Sequence, residues 1–238
     1  MIVQADLHLH SCLSPDGDLD ASPRRIARVA RERRLNLLAL TDHNSALNAP
    51  AFRSACLNEG VTPVFGIEAT SREEVHLLCL FARVEEAMGM GELLYARLNA
   101  FPNDPERFGD QVYIDEAEMI LGSPERFLPA ASSLSMEEIA AEAYARNGLF
   151  IPAHVDRTAT SVYSQLGFLP RGRYSAVEVT TRTPPIELGG LTRTTASDAH
   201  YLADIAARSI SFEAAEPSFA SLKQALSEGT VTLHGLRR

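Results

Sequence analysis

The chain has 238 residues, 45% of them hydrophobic and 22% charged, which is enough length and apolar content for a full globular core. Its formal net charge of −9 argues against a basic groove as the main source of affinity for a long nucleic acid. No apolar run approaches the roughly 18 residues of a membrane span; the start, MIVQADLHLH, lacks the features of a secretory signal, and three dispersed cysteines (Cys12, Cys56, Cys79) fit a reducing cytoplasm.

In chain order, residues 2–10 alternate with period 2 and predict a strand, with Asp6, His8 and His10 on one face and Leu7 and Leu9 on the other. Ser22-Pro23 opens a helix, Ser as N-cap and Pro at the first helical position. Strands are predicted at 35–40, ending at Thr41-Asp42-His43, at 61–67, delivering Glu68, and at 75–81, containing His76. Residues 85–133 break this rhythm with a helix over 85–100, a Pro-rich stretch and a second short helix near 115–121. They read either as an insertion capping the barrel mouth or as a plain connecting excursion. Ser135 and Glu138 have the spacing of a capping box, opening a helix that Asn147-Gly148 stops. Strands at 149–153, 176–180 and 192–196 follow; the first delivers His154 and the last Asp198 and His200. RSISF, a Pro217-led helix and VTLH close the chain.

Strands alternating with helices imply parallel β/α units, about seven by pattern. A polar residue at strand end after strand end is what a barrel site requires. Six of the seven histidines fall at strand ends or starts, and only His234 stands outside, as a surface or structural residue. HxH on a strand places two imidazoles on one face, close enough to share a cation. Asp198-x-His200 repeats the device, and Glu68 has two oxygens with which to bridge ions. Mixed N and O donors suit Zn, Mn or Fe. Asp42, beside a candidate ligand, reads as orienting an imidazole or as a turn residue; Cys12 reads as a small residue packed under the site. Lys223 is the one lysine, so anionic groups are to be gripped by arginine. Arg157, three residues past His154, is the candidate phosphate ligand, with Ser197 as a weaker one and Arg126 or Arg107 reaching over from the insertion.

Taken in order, DLHLHSCLSPDG, ALTDHNS, GIE, VHLLCLF, PAHVDR and SDAH resemble the PHP (polymerase and histidinol phosphatase) family over most of the chain. The resemblance implies a distorted (β/α)7 barrel, here with an inserted helical segment in a single domain over 1–238, and a site of two or three divalent ions that hydrolyses phosphoesters. By position it implies His8, His10, Glu68 and Asp198 at a first metal. It implies Glu68, His76 and His154 at a second, and Asp16, His43 and His200 at a third, where SPDG leaves Asp18 or Asp20 as alternatives to Asp16. Asp198 and His200 are also placed to pass a proton, and Arg157 to hold the phosphate.

The reading is a metal-dependent phosphoesterase acting on a small phosphorylated metabolite or nucleotide. Three alternatives stand beside it: a hydrolase of oligonucleotide ends, an amidohydrolase-type C–N hydrolase, and a non-catalytic metal-binding module. The C–N hydrolase commonly needs a carbamylated lysine between its metals, and Lys223 lies far along the chain from every motif. The oligonucleotide reading lacks an evident basic stripe or stacking run.

Overall fold

The computed structural model describes residues 1–236. Its elements are β1 (Ile2–Asp6), α1 (Pro23–Glu32), β2 (Leu37–Leu40), α2 (Ala49–Glu59), β3 (Thr62–Thr70), β4 (His76–Phe81), α3 (Val84–Arg97) and α4 (Pro105–Phe108). There follow β5 (Tyr113–Ile114), β6 (Ile120–Gly122), α5 (Met136–Ala145), β7 (Leu149–Pro152), α6 (Val162–Leu166), β8 (Val177–Glu178), β9 (Arg193–Thr194), β10 (Ser209–Glu213), α7 (Phe219–Glu228) and β11 (Thr232–His234).

A ring of seven strands closes. β1, β2, β3, β4 and β7 pair in sequence. β8 lies along β7 through Ser175 N–H to Phe150 O and Val155 N–H to Glu178 O, and pairs in parallel with β9. The chain beyond β9 returns to the chain beyond β1 through Asp198 N–H to His8 O, His10 N–H to Ala199 O and a parallel bridge between Leu9 and Ala199. The result is the distorted barrel expected. β10 and β11 extend the sheet from the far edge of β1.

Three local expectations are corrected. The first strand stops at Asp6, and alternation slips there: Asp6 turns away from the mouth to accept the N–H groups of Ser197 and Ala206. The ring is not wholly parallel. β3 and β4 are joined only by residues 71–75, too few for a crossover, so β4 runs antiparallel to both neighbours and brings its first residue, His76, to the rim. Residues 115–121 form a turn and strand rather than a helix. The Asp115 carboxylate accepts the N–H groups of Ala117 and Met119, and Glu118 adopts φ 67°, closing a β5–β6 hairpin.

Val64, Leu78 and Leu80 belong to an apolar cluster with Val3, Ala5 and Ile151 that fills the barrel. Glu68 and His76 share their strand faces, so the polar site sits directly on that layer. A second cluster lies between the sheet and the helices, and α3 contributes Ala87, Met90 and Leu94 to it. Thus α3 belongs to the barrel wall, and the chain leaves that wall only over 98–133. This excursion is tied down by buried amides. Asn44 donates to the carbonyls of Leu128 and Ala130, Asn48 bonds Val112 and Ile114, and Gln111 bonds Arg126 and Leu128. Gly109, at φ 97°, presses its backbone onto the Pro15 carbonyl, next to Asp16, where any Cβ would clash.

Candidate metal centre

All nine histidine and carboxylate side chains expected at the site converge at one end of the ring. The Glu68 carboxylate is the hub, within 3.4 Å of nitrogens from five imidazoles: His8, His10, His43, His76 and His154. Asp198 Oδ1 lies 3.2 Å from both His8 Nε2 and His10 Nε2. Asp16 Oδ2 lies 3.3 Å from His43 Nε2 and 3.2 Å from His200 Nε2. Asp18 and Asp20 bond each other's loop and do not join. His234 also lies outside the cluster, on Ser211. Three groups have ligand atoms mutually within 4.8 Å: His8 with His10, Glu68 and Asp198; His43 with Glu68 and His76; and His10 with His43 and His200. His154 reaches Glu68 but lies outside the second of these groups, and His10 replaces Asp16 in the third.

The imidazoles are fixed by their other nitrogens. His8 Nδ1 faces Glu178 Oε2 at 3.1 Å, His10 Nδ1 faces Ser14 Oγ at 2.9 Å, and His200 Nδ1 faces the Asp198 carbonyl at 3.0 Å. In each case an Nδ1–H donates outward, so the Nε2 lone pair points into the cluster. The Ser14 hydroxyl in turn donates a hydrogen bond to Asp42, which also accepts the N–H and hydroxyl of Ser11. Asp42 therefore orients His10 through a serine rather than by touching a ring.

This donor set calls for cations. His8 Nε2 and His10 Nε2 stand 3.3 Å apart with both lone pairs converging, and Asp198 Oδ1 is buried without a hydrogen-bond donor. Burial alone would raise the Glu68 and Asp198 carboxyls, yet the imidazoles around them hold both well below the usual range. Burial likewise opposes the charge on His43, but Glu68 and Asp16 lift it to about 10. His76 is pushed down, chiefly by burial. In the absence of metal, protons occupy positions that cations would take. The buried His, Glu and Asp clusters fit a multi-metal site. Burial pushes the Cys12 thiol up to about 12, so it stays a neutral thiol beneath the excursion.

Two residues of the site adopt left-handed backbone that non-glycine residues seldom take: His154 at φ 28° and Asp198 at φ 52°. Glu178 Oε1 accepts the His154 N–H, and His8 O accepts that of Asp198. Glu178 is thus a fully buried carboxylate gripping both His8 and the His154 backbone, and the sequence reading missed it. The available signal was one acid amid the apolar strand AVEVT.

Arg157, 38% exposed, pairs with Asp198 Oδ2 at the rim. Asp156 holds its loop by accepting the N–H and hydroxyl groups of Thr180 and Thr181. Ser197 turns its hydroxyl onto the His8 carbonyl and so braces the backbone instead of facing the mouth. Arg126 is spent on the carbonyls of Tyr95 and Leu98, and Arg107 lies over the Phe108 ring. Neither reaches over the mouth.

A family model described as the PHP domain matches residues 6–143. No curated protein matches the sequence. Among solved structures, the fold resembles that of a lesion-specific endonuclease, endonuclease Q, from Pyrococcus furiosus. It has TM-score 0.73 and 19% identity over 98% of this chain and 58% of that one. A complex of endonuclease Q with a 27-mer duplex carrying an abasic lesion gives TM-score 0.69 and 19% identity over 96% of this chain and 57% of that one. A candidate metal-dependent phosphoesterase from Bifidobacterium adolescentis gives TM-score 0.56 and 18% identity over 82% and 87%. This chain therefore spans under three-fifths of the endonuclease chains, and at these identities the likeness is one of fold.

Proposed function

Because this chain belongs to the PHP family, we propose that it is a metal-dependent phosphoesterase that cleaves the phosphate ester of a small phosphorylated metabolite or nucleotide. The observation that carries the reading is the convergence of five imidazoles on Glu68 beside an unpartnered Asp198 oxygen. His8, His10, Glu68 and Asp198 would hold one cation. Glu68, His76 and His154 would hold a second, with His43 in reach, and Asp16, His43 and His200 a third. Divalent Mn, Zn or Fe in such a set supplies an activated water and neutralises phosphoryl oxygens.

The chain's own residues supply the rest. Arg157, released from Asp198, offers its planar fork to phosphate oxygens. With only the first two cations bound, His200, anchored through Nδ1 and with Nε2 against Asp16, would carry the proton given to the departing alkoxide. Hydrolysis would form a P–O bond to a water oxygen and break the P–O bond to the alcohol, with one proton lost from the water and one gained by the leaving oxygen. Residues 98–133 roof one side of the mouth. A C–N hydrolase reading is disfavoured, since Lys223 is an exposed residue of α7 and joins none of the cluster.

The test is phosphate release from p-nitrophenyl phosphate and cleavage of bis-p-nitrophenyl phosphate with added Mn²⁺, together with bound-metal analysis. Metal-dependent turnover that His10→Ala reduces at least a hundredfold is expected. Stoichiometric metal with neither ester cleaved would favour the non-catalytic module.

A further inference from the structure

Asp198 enters the candidate centre on left-handed backbone, φ 52°. In a non-glycine residue such a conformation lasts only where the surroundings over-determine it. The angle is the rotation of the residue against the peptide plane that joins it to Ser197, so whatever holds that plane helps to set the angle. The plane is held at both edges. His8 O accepts the Asp198 N–H at 2.8 Å, and Arg208 Nη2 donates to the Ser197 carbonyl at 2.8 Å. The preceding peptide is held in the same way. Asp6 Oδ1 accepts the Ser197 N–H at 3.0 Å, and Arg208 Nε donates to the Ala196 carbonyl at 2.8 Å.

Arg208 belongs to no ligand group. It stands just before β10, which pairs with the far edge of β1 outside the ring. Among the described residues it pairs with no carboxylate, and its donors go to these two carbonyls. The planar fork spans successive carbonyl oxygens, a grip that the single ammonium of a lysine does not reproduce. Asp6, fully buried, accepts the Ala206 N–H at 2.9 Å with its other oxygen. That acid therefore ties the chain leading into Arg208 to the same segment that Arg208 grips.

We propose that Arg208 is a positioning residue for the cation expected at His8, His10, Glu68 and Asp198. It locks residues 196–198 so that the Asp198 carboxylate meets the two imidazoles, from a place outside the ring that touches neither cation nor substrate. The proposal rests on the metal-centre part of the reading above and not on the reaction catalysed there. Without the fork, Asp198 is free to relax toward ordinary backbone, which turns its carboxylate off His8 and His10. The group of His43, Glu68 and His76 takes no ligand from residues 196–200, so the cation there should not sense the loss.

Mn²⁺ titration of the full chain against a chromophoric chelator at pH 8 tests this on Arg208→Ala and Arg208→Lys. The alanine variant should lose at least about tenfold in affinity for one cation, and millimolar methylguanidinium should restore most of that loss. Arg208→Lys should remain several-fold weakened, because it returns the charge without the fork. Anomalous maps of the alanine variant soaked in Mn²⁺ should lose the peak beside Asp198 and keep one beside Glu68 and His76. Wild-type affinity in either variant would overturn the proposal. So would an equal loss at every cation that methylguanidinium leaves unrepaired, the mark of a residue that only stabilises the fold. Should the alanine variant not fold, the lysine variant decides, and full affinity there overturns the proposal. A wild type that binds no Mn²⁺ removes the metal centre and this role with it. A wild type that binds Mn²⁺ and cleaves no ester counts against the phosphoesterase reading alone.

Discussion

Glu178 touches no candidate cation position, yet it sets two of them. It fixes the His8 tautomer through one oxygen and holds the left-handed His154 backbone through the other. Glu178→Gln puts an amide N–H against one of two donors. It should weaken Mn²⁺ affinity by about 10- to 100-fold, measured by competition with a chromophoric chelator, while the protein stays folded. Proton competition gives a second expectation. His43 is lifted to about 10 by Glu68 and Asp16, so its charge stabilises the metal-free fold fully below about pH 6.5 and ceases to do so as the pH rises through 10. Metal must displace that proton at neutral pH. The rise in melting temperature on adding Mn²⁺ should therefore grow from pH 6 to pH 8; an equal or shrinking rise would contradict the electrostatic account. At this scale HxH and Asp198-x-His200 could be read as candidate ligands from their spacing, and the resemblance to the family supplied the rest of the expected set. The sequence was opaque where one residue acts through another, as with Glu178, Ser14 and Ser197, since their partners are distant in sequence or lie on the backbone.

Elements whose ends are built from local chemistry were readable in advance. Ser22 caps α1 by accepting the Arg25 N–H, and the Ser135–Glu138 capping box is present at α5 as spaced. Ser135→Ala should cost about 1 kcal/mol of stability in a denaturant titration and leave metal affinity unchanged. A cost shared by the metal site would mean that α5 positions the ligands. By contrast, the β5–β6 hairpin was misread because YIDEAEMIL has helix-forming residues, whereas the Asp115 side chain captures the N–H groups a helix would use. The reversed β4 was also unforeseen. Its direction follows from the five-residue link behind it, and apolar patterning alone does not distinguish the two orientations. α2 went unpredicted although Pro50 lies at its start and Gly60 at its end, with left-handed φ 70°.

For the whole molecule, the barrel divides its charge and its rigidity. The acidic excursion is pinned by Asn44, Asn48 and Gln111, all fully buried, and so should hold its position rather than hinge. Hydrogen exchange should show the amides of Ile114 and Leu128 as protected as those of β3, with or without Mn²⁺. Exchange there hundreds of times faster than in β3 would make the roof a mobile lid. The carboxylate-free stretch 157–177 was hidden from composition because a net charge averages over the whole chain. Among the described residues, no helix is long and apolar enough to cross a membrane.

Anomalous diffraction from crystals soaked in Mn²⁺ examines the central claim most directly. The account predicts at least two peaks on either side of the Glu68 carboxylate, one of them about 2.0–2.3 Å from His8, His10 and Asp198 ligand atoms. No peak in that cluster at saturating Mn²⁺ and pH 8 would contradict it.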